Sequence, residues 1–222
     1  MLWFGLSSRS RYFARGRYYP TTPIIVNKMM QFYLASMSPR RRELLEGVGL
    51  RFGVIGTDLD ESAQPDEDAA DFAVRMAREK ASLAVELIDA DGRWELPVLA
   101  ADTCVTINGR ILGKPDDMGH AKSMLRALSG VTHQVITAVA LNNRKATWQM
   151  LSRSRVTFGV LSPREIDAYC ACGEPRDKAG AYAIQGHGAA FVKRVEGSYT
   201  GVVGLPMYET RRLLKRIGID WL

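Results

Sequence analysis

Cysteine and histidine are scarce in this 222-residue chain, with three of each. Cys104, Cys170 and Cys172 form no CxxC pair, and His120, His133 and His187 are scattered, so neither a zinc site nor a disulfide framework is indicated. Thiols this few read as reduced and packed as small hydrophobes, which fits a cytoplasmic protein. No stretch nears the roughly 18 apolar residues that a membrane-spanning helix needs. Repeats and Gly/Ser or Pro linkers are missing too, so one unit, residues 31–222, is expected after the N-terminal segment.

Acidic residues are absent from residues 1–30, while Arg9, Arg11, Arg15, Arg17 and Lys28 lie there. Those five cations account for all but one unit of the formal net charge of +6, so the body is nearly neutral. That gives little support to the broad basic footprint by which proteins hold a nucleic-acid backbone. The segment has no apolar core of a secretory signal. It reads as an unstructured extension ahead of a start at Met29 or Met30, with a mitochondrial presequence as the alternative. The composition of the whole chain, 46% hydrophobic and 24% charged residues, is ordinary for a soluble globular protein.

Strand and helix signals alternate along the body. Phe32 to Ser36 reads as a strand, followed by a helix capped at Ser38-Pro39 and closed by Gly49. Phe52 to Ile55 is a second strand. Pro65 to Asp68 opens a long helix with Ala69, Phe72, Ala73, Met76, Ala77, Ala84 and Leu87 on one stripe. Val98 to Ile107 is a buried strand, turned by Asn108-Gly109 into Ile111-Leu112. A helix from Asp116-Asp117, strands over Gln134 to Leu141 and Val156 to Val160, and a capping box Ser162-Pro163-Arg164-Glu165 follow. Tyr182 to Val195 reads as a Gly-broken strand region, and Pro206 starts a last helix. The pattern is a mixed, twisted α/β sheet with flanking helices.

Four places disobey local logic. Arg40, Arg41 and Arg42 stand in a helix's first turn, where the macrodipole disfavours cations by about 0.3 to 1 kcal/mol each. They either seat an anion together with the free N–H groups or reach out into solvent. Asp102 interrupts a buried strand, so it pairs, binds a metal or does chemistry, unless it ends the strand facing water. Lys80 falls on the buried stripe of its helix, entering a cleft or snorkelling. Gly113-Lys114-Pro115 follows the hairpin from Asp102 but is no Walker A loop. Glu61 and Gln185 are open on composition alone.

The ordered set Leu34-Ala35-Ser36-Met37-Ser38-Pro39-Arg40-Arg41, Arg78-Glu79-Lys80-Ala81, Ala101-Asp102-Thr103, Leu112-Gly113-Lys114-Pro115, Thr132-His133-Gln134-Val135, Gly173-Glu174-Pro175 with Asp177 to Gly186, and Gly197-Ser198-Tyr199 with Val203 to Pro206 closely resembles the Maf family of nucleotide pyrophosphatases. The resemblance implies two lobes around a cleft, similar to inosine triphosphate pyrophosphatases, a divalent metal cation (Mg²⁺ or Mn²⁺), a nucleoside triphosphate substrate and commonly a homodimer. It makes Asp102 the proton acceptor and Ser36, Arg40, Lys80 and Lys114 the phosphate-binding set, with Glu61 joining Asp102 at the metal. Arg41, Thr103 and Gln185 match the positions that separate a dTTP/UTP branch from a 7-methyl-GTP branch, and they resemble the former. A 7-methyl-GTP or modified-nucleotide pyrophosphatase and a non-enzymatic septum regulator are the rival expectations. Met37 and Thr200-Gly201 depart from the family pattern.

Overall fold

A computed structural model of the protein describes residues 30–93 and 95–222. The expectations for the basic N-terminal segment fall almost wholly outside the described residues.

Apolar runs flanked by turn residues become the strands of one seven-stranded sheet: β1 (Phe32–Ala35), β2 (Phe52–Val54), β3 (Val98–Ile107), β4 (Arg110–Leu112), β5 (Thr132–Asn142), β6 (Thr147–Phe158) and β7 (Val192–Glu196). Their order is β2-β1-β3-β5-β6-β7, with β4 folded back on β3. The first three pair in parallel and the rest antiparallel, giving the expected mixed sheet. Asn108 and Gly109 both take positive φ, 49° and 77°, as the two-residue turn between β3 and β4 requires.

Helix α1 (Pro39–Glu46) follows β1, and α2 (Ala69–Ala90) starts at Asp68, whose side chain caps the Ala70 N–H. Ala73, Met76, Ala77, Ala81, Ala84 and Ile88 of α2 pack on one sheet face against Ala100, Ile136, Ala138 and Ala140. Leu87, expected on that stripe, is exposed. With 3.6 residues per turn the core line passes from Ala84 to Ile88 and leaves Leu87 on the flank. The other face is covered near β1 by α6 (Met207–Lys215), through Leu213 and Leu214. Farther along, α3 (Met118–Leu128) and α4 (Pro163–Ala171) cover Val135, Val156 and Phe158. The Ser162/Glu165 capping box is present.

Of the strand region expected over Tyr182 to Val195, only the end from Val192 is a strand, β7; residues 182–191 are not. Three short 3₁₀ turns, Glu174–Asp177, Ala179–Ala181 and His187–Phe191, precede β7, and α5 (Tyr199–Val203) follows it. Glu174 organises these turns: its carboxylate accepts from the Tyr169 hydroxyl and from the backbone N–H groups of His187 and Gly188. Such long-range bonds override local strand propensity. The strand expected over Val156 to Val160 lies farther back, ending at Phe158 and beginning at Thr147.

Candidate active site

Strand β1 stops at Ala35, whereas its neighbour β3 continues to Ile107, so Asp102 to Val105 of β3 line a crevice beyond the end of β1. Consecutive strand residues point to opposite faces. Asp102 therefore projects toward α2 and Thr103 toward the face that carries α5.

On the α2 side the Lys80 ammonium lies 2.6 Å from Asp102 Oδ1 and 2.6 Å from Glu61 Oε1, and Lys114 donates to Glu61 Oε2 at 2.6 Å. Asp102 and Lys80 are both buried, at 7% exposure, which decides against a strand-end aspartate and a snorkelling lysine. Asp102 Oδ2 has no hydrogen-bond partner among the described residues. Burial pushes the Glu61 carboxyl up, but the hydrogen bonds from Lys114 and Lys80 outweigh it and hold it at about 2.

On the opposite side the Arg41 guanidinium donates to the Gly204 carbonyl at 2.7 Å, to Ser36 Oγ at 3.0 Å and to Thr103 Oγ1 at 3.3 Å. Gly204 turns that carbonyl inward with φ 124°, a conformation that favours glycine. Arg41 forms no ion pair with a carboxylate among the described residues. Burial lowers its pKa, partly opposed by Asp102, and a guanidinium stays charged regardless. The Nε of Arg40 is buried without a partner. Ser38 occupies the N-cap of α1 without bonding to the first turn through its side chain, so that helix opening keeps N–H groups free. Spare buried donors of this kind call for an anion.

One cleft of about 760 Å³ joins these groups, and every expected site residue lines it: Ser36, Arg40, Arg41, Glu61, Lys80, Asp102, Thr103, Lys114 and Gln185. Gln185 is exposed at its rim, its amide without a partner among the described residues. Arg42, grouped with its neighbours in the sequence, does not line it, because the third of three successive helical residues points away. Asp177 and Lys178 do line it, bonded to each other, and sequence reasoning passed over them as parts of a motif. Burial raises the Asp177 carboxyl, but Lys178 and the charge of Arg40 bring it below the usual range. Five cationic side chains against three acidic ones leave the lining with a surplus of positive charge.

The sheet divides the cleft chemically. Lys80, Glu61, Asp102 and Lys114 make the α2 side a charged pocket. Val105, Val135, Ile184 and Val203 line the rest with apolar groups, interrupted by Thr103 and Arg41. The first half suits a polyanion and a hydrolytic water, and the second suits a flat ring with polar edges.

Residues 31–217 match the family model described as Maf-like protein. The chain is 51% identical to the dTTP/UTP pyrophosphatase of Nitrosomonas europaea, covering 85% of this chain and 95% of that protein. It is 50% identical to the protein of the same name from Chromobacterium violaceum, covering 86% and 96%. Among solved structures, the Staphylococcus aureus Ham1 protein overlaps with a TM-score of 0.41 at 14% identity, over 57% of this chain and 71% of that one.

Proposed function

The chain belongs to the Maf-like protein family, and from that premise we propose that it is a nucleoside triphosphate pyrophosphatase converting dTTP and UTP to the monophosphate and pyrophosphate. The observation that carries this reading is a shared cleft: the cationic opening of α1 and the Asp102 carboxylate face the same space, with room for one nucleotide. Relatives about half identical over nearly their whole length bear the name of that activity.

The residues divide the work. Arg40, Lys80 and Lys114, with Ser36 and the free N–H groups of α1, bind the triphosphate and oppose the charge that grows on its oxygens, worth a few kcal/mol per donor in comparable sites, while Arg41, Thr103 and Gln185 face the base. Lys80 pins Asp102 Oδ1, so the orientation of Oδ2 is fixed toward the reacting centre. Oδ2 takes the proton of the attacking water as the water oxygen bonds to the α-phosphorus. The bond from that phosphorus to the oxygen bridging to the β-phosphate breaks, and pyrophosphate leaves with the electron pair.

The donor set also suits a hard divalent cation, Mg²⁺ or Mn²⁺. Asp102 and Glu61 are two carboxylates bonded to the same ammonium, and such ions are commonly held by one or two carboxylates plus substrate phosphate. Those two residues would hold it, and when bound it supplies Lewis-acid neutralisation of phosphate charge. The same reading has the enzyme act in the cytoplasm as a homodimer, without nucleic acid. No helix among the described residues is long and apolar enough to cross a membrane, and its three cysteines are free.

Replacing Asp102 by Asn keeps the shape and removes the proton acceptor. Pyrophosphate release from UTP is expected to fall by about 10²- to 10⁴-fold with the circular dichroism of the folded protein retained, although melting is lowered by the weakened bond to Lys80. Near-wild-type turnover in the folded variant would sink the assignment.

A further inference from the structure

Strand register sets Thr103 of β3 directly opposite Thr137 of β5. Their hydroxyl oxygens lie 3.0 Å apart, and Thr137 Oγ1 is 2.8 Å from the Gly201 carbonyl oxygen. A carbonyl only accepts, so the one proton of the Thr137 hydroxyl is committed to Gly201. Toward Thr103, Thr137 is then an acceptor, and the Thr103 proton is committed to it. Arg41, a pure donor, occupies one lone pair of Thr103. The chain of bonds therefore runs one way, from Arg41 to Thr103 to Thr137 to Gly201, and leaves Thr103 a single free lone pair and no proton for the cleft.

Thr137 itself is 1% exposed and does not line the cleft. Thr103 does, in the apolar half bounded by Val105, Val135 and Val203, where a nucleobase rather than the phosphates finds matching surface. We infer that Thr137 is a specificity-determining positioning residue: by taking the Thr103 proton it presents Thr103 to the base as an acceptor. The site thereby favours uracil and thymine, which carry N3–H, over cytosine, whose N3 is an acceptor. This rests on the pyrophosphatase reading and deepens it. A site that offers an acceptor rejects a ring that offers another, because two lone pairs are then left facing each other without a proton.

Thr137→Val removes the acceptor with little change of shape, and the Gly201 carbonyl keeps the Gly204 N–H as a donor. The Thr103 proton is then free to point into the cleft. Measured by pyrophosphate release with Mg²⁺, the UTP-to-CTP ratio of kcat/KM is expected to narrow about tenfold, with the CTP value itself rising. Thr137→Ala, which removes the same oxygen with less bulk, narrows it likewise, and Thr137→Ser, which restores the hydroxyl, retains the wild-type ratio. A general loss of packing cannot raise the CTP value. Equal falls for both nucleotides, or an unchanged ratio in the Val and Ala variants, overturns the role of Thr137 while leaving the pyrophosphatase intact. Absence of pyrophosphate release by the wild-type protein from any pyrimidine triphosphate overturns the underlying reading, and the inference with it.

Discussion

Lys80 stands where an ammonium ion ought to be most unfavourable, on the core stripe of a 22-residue helix and 7% exposed. It is tolerated because Asp102 and Glu61 both accept from it, and a buried charge with full partners is far less costly than one without. Lys80→Met fills the volume but leaves Asp102 buried and unpaired. A loss of about 3 kcal/mol in urea unfolding is expected, the scale for removing one partner of a buried pair, and the Glu61 carboxyl should rise from about 2 toward its ordinary range as one of its two ammonium donors disappears. Unaltered stability with an unmoved Glu61 titration counts against the network. Lys80, Asp102 and the arginines were legible in the sequence because each broke a local rule, lysine on an apolar stripe, aspartate within an apolar strand, arginine at a helix opening, whereas Glu61 broke none. Thr137 was not legible, since a threonine alternating with Val135 and Val139 is an ordinary strand residue, and its role exists only through the register that sets it across from Thr103.

Elements whose side chains repeat with their own period could be read from the sequence, and those built by distant bonds could not. Helix α2 and strand β3 announce themselves by period. Strand β6 hides its middle, because Ser152 and Ser154 face inward: Ser154 accepts from the Ser198 N–H and donates to the Ser198 carbonyl, so polar residues stand where alternation demands apolar ones. The turns between residues 174 and 191 are the extreme case, with Ala181 at φ 61° and the shape set by the Glu174 carboxylate. That carboxylate sits against Gly186, where an added Cβ would approach to 2.2 Å of its Oε2. Gly186→Ala must therefore dislodge a carboxylate anchored by the Tyr169 hydroxyl and two backbone N–H groups. A cost of about 1 to 3 kcal/mol follows. Because Tyr182, Ile184 and Gln185 on the same stretch line the cleft, KM for UTP should rise more than kcat falls. A variant with wild-type melting and wild-type KM would show that Glu174 does not hold this wall.

Over the whole molecule, charge is concentrated where chemistry needs it: a body near neutrality carries a cleft with surplus positive charge. Its pH response is set partly by a group that does not itself line the cleft. His133 is 1% exposed, edge-on to Phe158 and Tyr182 at ring-centre distances of 5.0 and 5.4 Å, with Nε2 bonded to the Tyr182 hydroxyl. Burial pushes its pKa down to about 4 from 6.5. The unfolded chain binds this proton more readily than the folded one, so stability is full above about pH 6.5, declines as the pH falls, and has lost the whole contribution below about pH 4. The lowered carboxyls point the same way but act lower: Glu61 and Glu174, held at about 2 against an ordinary 4.5, contribute stability above pH 4.5 that drains away as the pH falls toward 2. The interval from pH 6.5 to 4.5 thus isolates the histidine, within a total of about 3 kcal/mol for a shift of this size. Urea midpoints of the wild type should fall steadily across that interval, and those of His133→Gln should stay nearly flat even though the variant starts from a lower value. Parallel slopes in the two proteins would mean that the acid sensitivity of the fold arises at some group other than His133.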